Sequence, residues 1–237
     1  MSLTREGIAY RVARDLPEGS YVNLGVGIPI LVSAYLPKDR EIFLHSENGI
    51  LGAGPRARPG SEDPDLVNAD KQYVGLVTGS SVFDHALSFT MVRGGHLTHA
   101  VIGAIEVAGN GDLANWRVPG QKVPGVGGAM DLAFGVKNVY VAMNHVTNKG
   151  QPKIVARCSC PLTAPRCVKR IYTDMALIDV TPEGLVLREF APGLDPSAVQ
   201  ARTGVPLLVA RDCVEMDIPP TFNGTALVAQ KIEEPGA

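Results

Sequence analysis

Apolar residues recur along this chain at two spacings, one typical of helices and one typical of buried strands. Ile8, Val12 and Leu16 lie four residues apart with charged residues between them, which predicts an amphipathic helix over residues 4–16 that Thr4 caps. Further helices are predicted at residues 30–35, 84–92 and 195–202. Short continuous apolar runs predict buried strands at residues 20–24, 42–44, 73–77, 100–107 and 138–143.

Strands separated by helices indicate an α/β fold, in which helices connect parallel strands. We therefore expect a single open, doubly wound and largely parallel sheet with helices on both faces. Two more strands, at residues 175–180 and 185–190, flank the turn Thr181–Gly184 and predict a small C-terminal β-hairpin region. Residues 211–237 show no clear periodicity, so we expect one domain over residues 1–210 followed by a tail.

The composition limits the possible classes of function. With 237 residues, of which 45% are apolar and 19% charged, the chain is long enough to bury a sizeable core and too apolar to be disordered. A net charge of −2 at pH 7 offers no field for a polyanion, so we expect no nucleic-acid partner. No apolar run approaches the roughly 20 residues that span a bilayer, so we expect no membrane association. Four cysteines are few for this length and no leader segment is recognisable, which predicts reduced thiols and a cytoplasmic location.

The apolar run at residues 42–44 leads to a carboxylate, Glu47, and a glycine-rich segment follows. The glycines predict a loop, which places Glu47 at the carboxyl end of a strand, where open α/β sheets hold their active sites. The backbone N–H groups of Asn48 and Gly49 lie beside the carboxylate and are suited to stabilise negative charge. Glu47 is the candidate nucleophile. The alternative is a solvated or capping glutamate at a turn.

Two other glycine clusters are candidate binding elements. Gly25 and Gly27 follow a predicted strand and precede Pro29 at the first turn of a predicted helix, where backbone N–H groups suit a phosphate or pyrophosphate. Gly125–Gly128 lead directly into helix-forming residues, and backbone N–H groups there suit an oxyanion hole or an anion seat. Packing alone is the alternative explanation for both clusters.

No metal site is predicted. His45 and Glu47 have the spacing of a histidine ligand and the glutamate of zinc deaminases, but the Pro-Cys-x-x-Cys element of that site is absent, since the nearest candidate is Cys158-Ser-Cys160. These cysteines are interpreted as small buried hydrophobic residues. His96 and His99 lack a nearby carboxylate pair, so a structural role is favoured for both.

Five motifs together resemble the B subunit of class I coenzyme A transferases, the 3-oxoacid group. They are Tyr21–Pro29, Leu44–Gly52, Arg93–His96, Gly111–Trp116 and Gly127–Leu132. The second of these resembles the catalytic signature of that family closely, and the resemblance extends over roughly residues 4–208 in the same order. It implies that Glu47 is a catalytic nucleophile and not a capping residue.

The resemblance implies a ping-pong reaction in which the Glu47 carboxylate attacks an acyl-CoA and becomes a glutamyl-CoA thioester by way of a mixed anhydride. A 3-oxoacid then takes up the CoA. By the same resemblance, the backbone N–H of Gly128, with Asn48 beside the nucleophile, stabilises the oxyanions. Gly25 and Gly27 are assigned to the CoA side, and Asn115 is a further candidate there. Coenzyme A is thus expected as a substrate, with no permanently bound cofactor and no metal.

The family resemblance also implies a partner, because a separate A subunit of similar fold completes the active site. We therefore expect an obligate heteromer, as an A2B2 heterotetramer, acting on succinyl-CoA and a 3-oxoacid. Residues Arg58–Asn68 resemble the 3-oxoadipate enzymes of the group somewhat more closely than those that use acetoacetate, whereas Val118–Gly120 resembles the acetoacetate enzymes. The second carboxylate of oxoadipate needs a cation, which Arg56 or Arg58 could supply. Two alternatives stay open: a CoA-transferase that uses acetate or a short-chain fatty acid, and a non-catalytic acyl-CoA-binding subunit.

Overall fold

A computed structural model describes residues 2–121 and 125–223. Within these ranges the α-helices are α1 Arg5–Asp15, α2 His85–Arg93, α3 Ala129–Gly135 and α4 Pro196–Gln200, and 3-10 helices lie at Pro29–Tyr35 and Pro220–Phe222. The strands are β1 Ser20–Leu24, β2 Ile42–Ser46, β3 Ile50–Arg56, β4 Val74–Val82, β5 His99–Ile102, β6 Glu106–Ala108, β7 Leu113–Ala114, β8 Asn138–Met143, β9 Ile154–Val155, β10 Val168–Thr173, β11 Ala176–Thr181, β12 Gly184–Phe190 and β13 Leu207–Glu215. None of the helices described combines the length and apolar character needed to cross a bilayer.

Ten of the described strands form one sheet in the order β13-β12-β11-β10-β8-β5-β1-β2-β3-β4. Its five central strands, from β10 to β2, run parallel to one another. β3 and β4 are antiparallel additions at one edge, and β11 and β12 form the predicted antiparallel hairpin near the other. The structure confirms the open, largely parallel α/β sheet and adds a small second sheet, β7-β6-β9, which was not predicted.

Both faces of the large sheet are covered, because its central strands are apolar at successive positions. Val101 and Tyr172 pack in the cluster that contains α1, whereas their neighbours Ile102 and Ile171 belong to a second cluster. Successive side chains of a strand point to opposite faces, so the two clusters lie on opposite sides of the sheet. Helices α2 and α3 pack against each other around Ala100, on the face opposite α1. Helices on both faces are thus confirmed.

Local sequence signals set the helix starts as predicted. Oγ1 of Thr4 accepts a hydrogen bond from the N–H of Gly7 at 3.1 Å, and Oδ1 of Asp195 accepts one from the N–H of Ala198 at 2.7 Å. Each cap satisfies an N–H group that has no partner within its helix.

Three predicted elements differ from the structure. The glycine-rich residues 50–56 form β3 and not a loop, because the turn at Glu47–Gly49 reverses the chain and pairs Ile50 with Ser46. The strand predicted over residues 100–107 is interrupted at residues 103–105, and its halves belong to different sheets. The helix predicted over residues 30–35 is a 3-10 helix.

The residues beyond 202 contribute to the folded unit. Strand β13 crosses residue 210, so the expected domain end falls within a strand. Met216 and Ile218 are buried in the cluster that contains α1, and Phe222 packs on Tyr10 and Tyr35 with ring centroids 5.2 and 5.3 Å away. The expected tail therefore packs against the core through Met216, Ile218 and Phe222, and residues 224–237 lie outside the described residues.

Candidate active site

The carboxyl ends of three neighbouring strands meet at one edge of the large sheet. β1 pairs in parallel with β2 on one side and with β5 on the other. The chain continues from these strands in diverging directions, which leaves a crevice where open α/β sheets bind their ligands. Gly25 follows β1, Glu47 follows β2 and Gly103 follows β5, so the crevice is bordered by three loops.

A cavity of about 450 Å³ lies at this crevice, a size typical of small-molecule sites. Its walls come from the residues after β1, the first 3-10 helix, the end of β2, β3, residues 68–74, residues 102–105, Asn115 and residues 126–132. Four predicted site residues line the cavity, namely Gly25, Glu47, Asn115 and Gly128. The other two, Gly27 and Asn48, lie outside its lining although both are described.

Glu47 presents its carboxylate to this cavity from the turn that ends β2. The turn is closed by a hydrogen bond of 2.9 Å from the N–H of Gly49 to the carbonyl of Ser46. Burial raises the pKa of Glu47, the charge on His85 lowers it and that on Asp131 raises it further. A carboxylate that is poorly solvated is held less by water, which favours its use as a nucleophile.

Gly49 adopts a backbone conformation that side chains rarely tolerate, with φ of +122°. A Cβ at this position would also overlap the carbonyl oxygen of Phe83. The N–H of Phe83 donates in turn to the carbonyl of Gly49 at 3.0 Å, which ties the Glu47 turn to the segment before α2. Gly49, two residues after the candidate nucleophile, is therefore required by packing as well as by the turn.

Gly128, the N-cap residue of α3, packs against the Glu47 carboxylate. A Cβ on residue 128 would lie 2.8 Å from Oε2 of Glu47 and 2.7 Å from Cζ of Phe89, so no side chain fits there. Only glycine lets the backbone approach the carboxylate this closely. The glycine cluster recognised in the sequence thus meets the candidate nucleophile in space.

His45 lies two residues before Glu47 in β2, and its buried hydrogen bonds were not evident from the sequence. Nδ2 of Asn23 donates to the carbonyl oxygen of His45 at 3.3 Å and lies 3.1 Å from the ring Nδ1. Since the amide nitrogen donates to both, Nδ1 accepts and the proton is on Nε2, which donates to Oγ of Ser88 at 3.0 Å. Burial lowers the pKa of His45 to about 4, so the ring is neutral and links β1, β2 and α2 through its hydrogen bonds to Asn23 and Ser88. The one signal in the sequence was a histidine within an apolar run.

Asn48 and Asn115 both have their side-chain amides engaged by the protein. Nδ2 of Asn48 donates to the carbonyl of Val67 at 2.7 Å. Nδ2 of Asn115 donates to the carbonyl of Gly103 at 3.2 Å, and its Oδ1 accepts from Oγ1 of Thr163 at 2.6 Å. Asn115 therefore braces the loop after β5, which forms one wall of the cavity.

The two glycines after β1 are placed differently. Gly25 lines the cavity, but its N–H donates to the carbonyl of Val101 at 2.8 Å and continues the pairing with β5. Gly27 has φ of +95°, a conformation that favours glycine, in the turn before the first 3-10 helix. Strand pairing thus explains the position of Gly25, and the conformation of the turn explains the glycine at position 27.

Charge at the cavity wall is provided by Arg56, at the end of β3. Arg56 lines the cavity, whereas Arg58, two residues further, does not. Asp70 and Gln72 line the same side, with Nε2 of Gln72 donating to Oδ2 of Asp70 at 3.2 Å. Across residues 2–121 and 125–223, no group of three or more histidine, cysteine or acidic side chains is arranged to hold a metal ion.

The fold is shared with solved coenzyme A transferases. The acyl-CoA transferase of Escherichia coli O157:H7, as apoenzyme, superposes with a TM-score of 0.73 at 20% identity, and the match covers 94% of this chain and 45% of that longer chain. At this identity the likeness shows the fold alone.

Similarity at the level of sequence identifies the family. Residues 5–202 match the family described as coenzyme A transferase, and the chain belongs to this family. It is 54% identical to the B subunit of 3-oxoadipate CoA-transferase from Acinetobacter baylyi, over 88% of this chain and 96% of the relative. It is 44% identical to the beta subunit of acetate CoA-transferase from Escherichia coli K12, over 88% of this chain and 95% of the relative.

Proposed function

We propose that this chain is the B subunit of a CoA-transferase that moves CoA from succinyl-CoA to a 3-oxoacid, with Glu47 as the nucleophile. The observation that supports this most is the Glu47 carboxylate, which lies in the cavity at the end of β2, partly buried, with its pKa raised and Gly128 against it. Membership of the coenzyme A transferase family supplies the class of reaction.

In the proposed reaction, the Glu47 carboxylate attacks the thioester carbonyl of succinyl-CoA, and CoA leaves as the thiolate. The thiolate then attacks the Glu47 carbonyl of the mixed anhydride and releases succinate. A 3-oxoacid carboxylate attacks the resulting glutamyl thioester, and the same steps in reverse deliver CoA to it. The energy of the thioester is conserved because each acyl intermediate is itself activated.

Each of these steps develops an oxyanion that needs a fixed donor. We assign this role to the backbone N–H of Gly128, because Gly128 packs on the carboxylate that reacts. The CoA side of the cavity is proposed at the turn of Gly25 and Gly27, with Asn115 supporting the neighbouring wall through Gly103. Coenzyme A enters as a substrate, and the proposal requires neither a metal nor a resident cofactor.

The proposed partner is an A subunit, in an A2B2 assembly in the cytoplasm. The two relatives are named as a B subunit and a beta subunit, which supports a second subunit in this protein as well. We expect the isolated chain to be inactive, because the family resemblance implies that a second subunit completes the site.

The proposed acceptor is 3-oxoadipate. The relative that carries this name is 54% identical to the chain, whereas the relative named for acetate is 44% identical, which keeps acetate as the alternative. Arg56 is placed at the cavity wall and offers a cation for the distal carboxylate of oxoadipate.

The covalent proposal is tested by peptide mass mapping of this chain, copurified with its partner, after succinyl-CoA and a brief borohydride quench. Borohydride converts a glutamyl thioester to an alcohol, so Glu47 should be found reduced, and a Glu47→Gln complex should remain unmodified. An unmodified Glu47 in a complex that binds CoA would contradict the mechanism and support an acyl-CoA-binding subunit.

The acceptor is tested by comparing Arg56→Ala with Arg58→Ala in the same complex. Loss of a charge-assisted contact of about 1.5–3 kcal/mol corresponds to a roughly 10- to 100-fold increase in KM for 3-oxoadipate. We expect this for Arg56→Ala, with a much smaller effect on acetoacetate and acetate, and no such change for Arg58→Ala. Equal losses for all acids in Arg56→Ala would contradict the assignment.

A further inference from the structure

The two residues on either side of Glu47 hold the same neighbouring loop. Oγ of Ser46 accepts a hydrogen bond from the N–H of Ala69 at 2.9 Å and donates to Oδ1 of Asn48 at 2.7 Å. Nδ2 of Asn48 donates to the carbonyl of Val67 at 2.7 Å. We call this set of three hydrogen bonds the Ser46–Asn48 clamp.

The loop held by the clamp, residues 67–73, is itself well ordered by short-range hydrogen bonds. It is closed by an antiparallel bridge between Val67 and Tyr73, and the N–H of Asn68 donates to the carbonyl of Gln72 at 2.9 Å. Oδ1 of Asn68 accepts from the N–H groups of Asp70 and Gln72 at 3.0 and 2.9 Å. The loop is therefore a small rigid unit that can be positioned as a whole.

This unit forms part of the cavity wall. Its lining residues are Asn68, Ala69, Asp70 and Gln72. The hydrogen bonds that attach the unit to β2 arise one residue before and one residue after Glu47. The position of the wall is thus fixed relative to the carboxylate that reacts.

From this geometry we propose that Ser46 and Asn48 are positioning residues that set the distance between the nucleophile and the acceptor wall of the cavity. The proposal rests on the proposed function, since it assigns the wall to the acceptor acid. It gives Asn48 a role other than donation to an oxyanion, because its Oδ1 and one hydrogen of its Nδ2 are bonded within the clamp and the residue lies outside the cavity lining. Small misplacements of groups around a reacting centre are known to cost large factors in rate.

The clamp is tested first by hydrogen exchange in the purified complex with its partner subunit. Ser46→Ala removes the acceptor for the Ala69 N–H, and Asn48→Asp replaces the donor to Val67 by a carboxylate oxygen at nearly equal volume. We expect faster exchange of the amides of residues 67–73 in both variants. Asn148→Asp, in an exposed turn outside the cavity lining, introduces the same charge change and should leave this peptide unchanged.

Kinetics separate positioning from direct catalysis. We expect Ser46→Ala to raise KM for the acceptor acid about 10-fold and to change discrimination among acids, while formation of the glutamyl thioester slows less than threefold. Asn48→Asp should change discrimination among acids in the same direction. Asn68→Ala, which loosens the same loop without touching the clamp, should shift acceptor discrimination in the same direction.

Two results would overturn the proposal. One is unchanged exchange of residues 67–73 in both clamp variants. The other is a loss confined to thioester formation and equal for all acids, which would return Asn48 to the oxyanion. The exchange measurement requires no turnover, so a wild-type complex without CoA-transferase activity would refute the proposed function while the clamp is still judged by exchange.

Discussion

The backbone of Gly128 lies so close to the carboxylate of Glu47 that a Cβ on residue 128 would stand 2.8 Å from Oε2. The two residues belong to different loops, one ending β2 and the other opening α3. Because residue 128 has no side chain, its backbone lies directly against the Glu47 carboxylate. The reactivity of Glu47 should therefore depend on this contact and on the burial that surrounds it.

Gly128→Ala should lower the rate of glutamyl thioester formation about 100-fold, because the added methyl group displaces the Glu47 carboxylate or the Phe89 ring. Gly75→Ala is the matched control, since a Cβ there meets nothing closer than the carbonyl of Pro55 at 3.8 Å. Thermal unfolding of both variants distinguishes displacement from a loss of folding. A Gly128→Ala complex with wild-type kinetics would show that the close approach has no role in the reaction.

The acid limb of the pH–rate profile for thioester formation should follow the ionisation of Glu47. Burial raises the pKa of Glu47, so the rate of thioester formation should fall with decreasing pH before an ordinary glutamate would be protonated. His85→Gln removes a charge that lowers this pKa, and Asp131→Asn removes one that raises it. The limb should therefore move to higher pH in the first variant and to lower pH in the second, as measured by rapid-quench kinetics. Shifts in the same direction would mean that another group controls the limb.

Glu47→Gln should abolish CoA transfer and stabilise the fold at neutral pH. Because the pKa of Glu47 is raised on folding, the native state loses stability as pH rises through the folded pKa, and this loss is absent below the unfolded pKa. The variant should thus have a higher Tm than the wild type at pH 7.5, with the difference vanishing near pH 4. Glu183→Gln, at an exposed turn, controls for the change in net charge. A Glu47→Gln chain no more stable than the wild type at pH 7.5 would show that burial of ionised Glu47 does not destabilise the fold.

Two buried histidines should make the fold sensitive to acid. Burial lowers the pKa of His45 and of His145 to about 4, and His145 is held between Oγ1 of Thr173 and Oγ1 of Thr203 at 2.9 Å each. The stability that each neutral, buried ring contributes to the free energy of unfolding is complete above the unfolded pKa near 6.5. It is lost as pH falls to about 4, and the loss is on the order of 3 kcal/mol for each histidine.

His145→Gln should therefore give a shallower pH dependence of the free energy of unfolding between pH 6.5 and 4, with about one proton fewer taken up on unfolding. Urea titrations at several pH values measure this slope. A slope equal to that of the wild type would show that His145 is protonated in the folded state. His145 is chosen because it lies outside the cavity lining, so its substitution does not involve the candidate active site.

Much of the fold was predictable because its signals are local. The spacing of Ile8 and Val12 and the cap at Thr4 describe α1, and the continuous apolar run of β8 marks a strand buried on both faces. Strand β3 was missed because its glycines resemble a loop, and it is stabilised by pairing with β2 and β4. Strand β13 was missed because its exposed edge shows no clear alternation.

For the candidate site, local sequence was enough to show that Glu47 ends a strand and that glycine clusters lie before and after it. The contact of Gly128 with Glu47, the neutral His45 ring held by Asn23 and Ser88, and the loop held by Asn48 follow from the folded arrangement alone. The difference arises because helix spacing, caps and turns depend on neighbours in the chain. Hydrogen-bond partners and close packing instead depend on which strand ends lie side by side in the sheet. Local sequence patterns do not determine this order of strands.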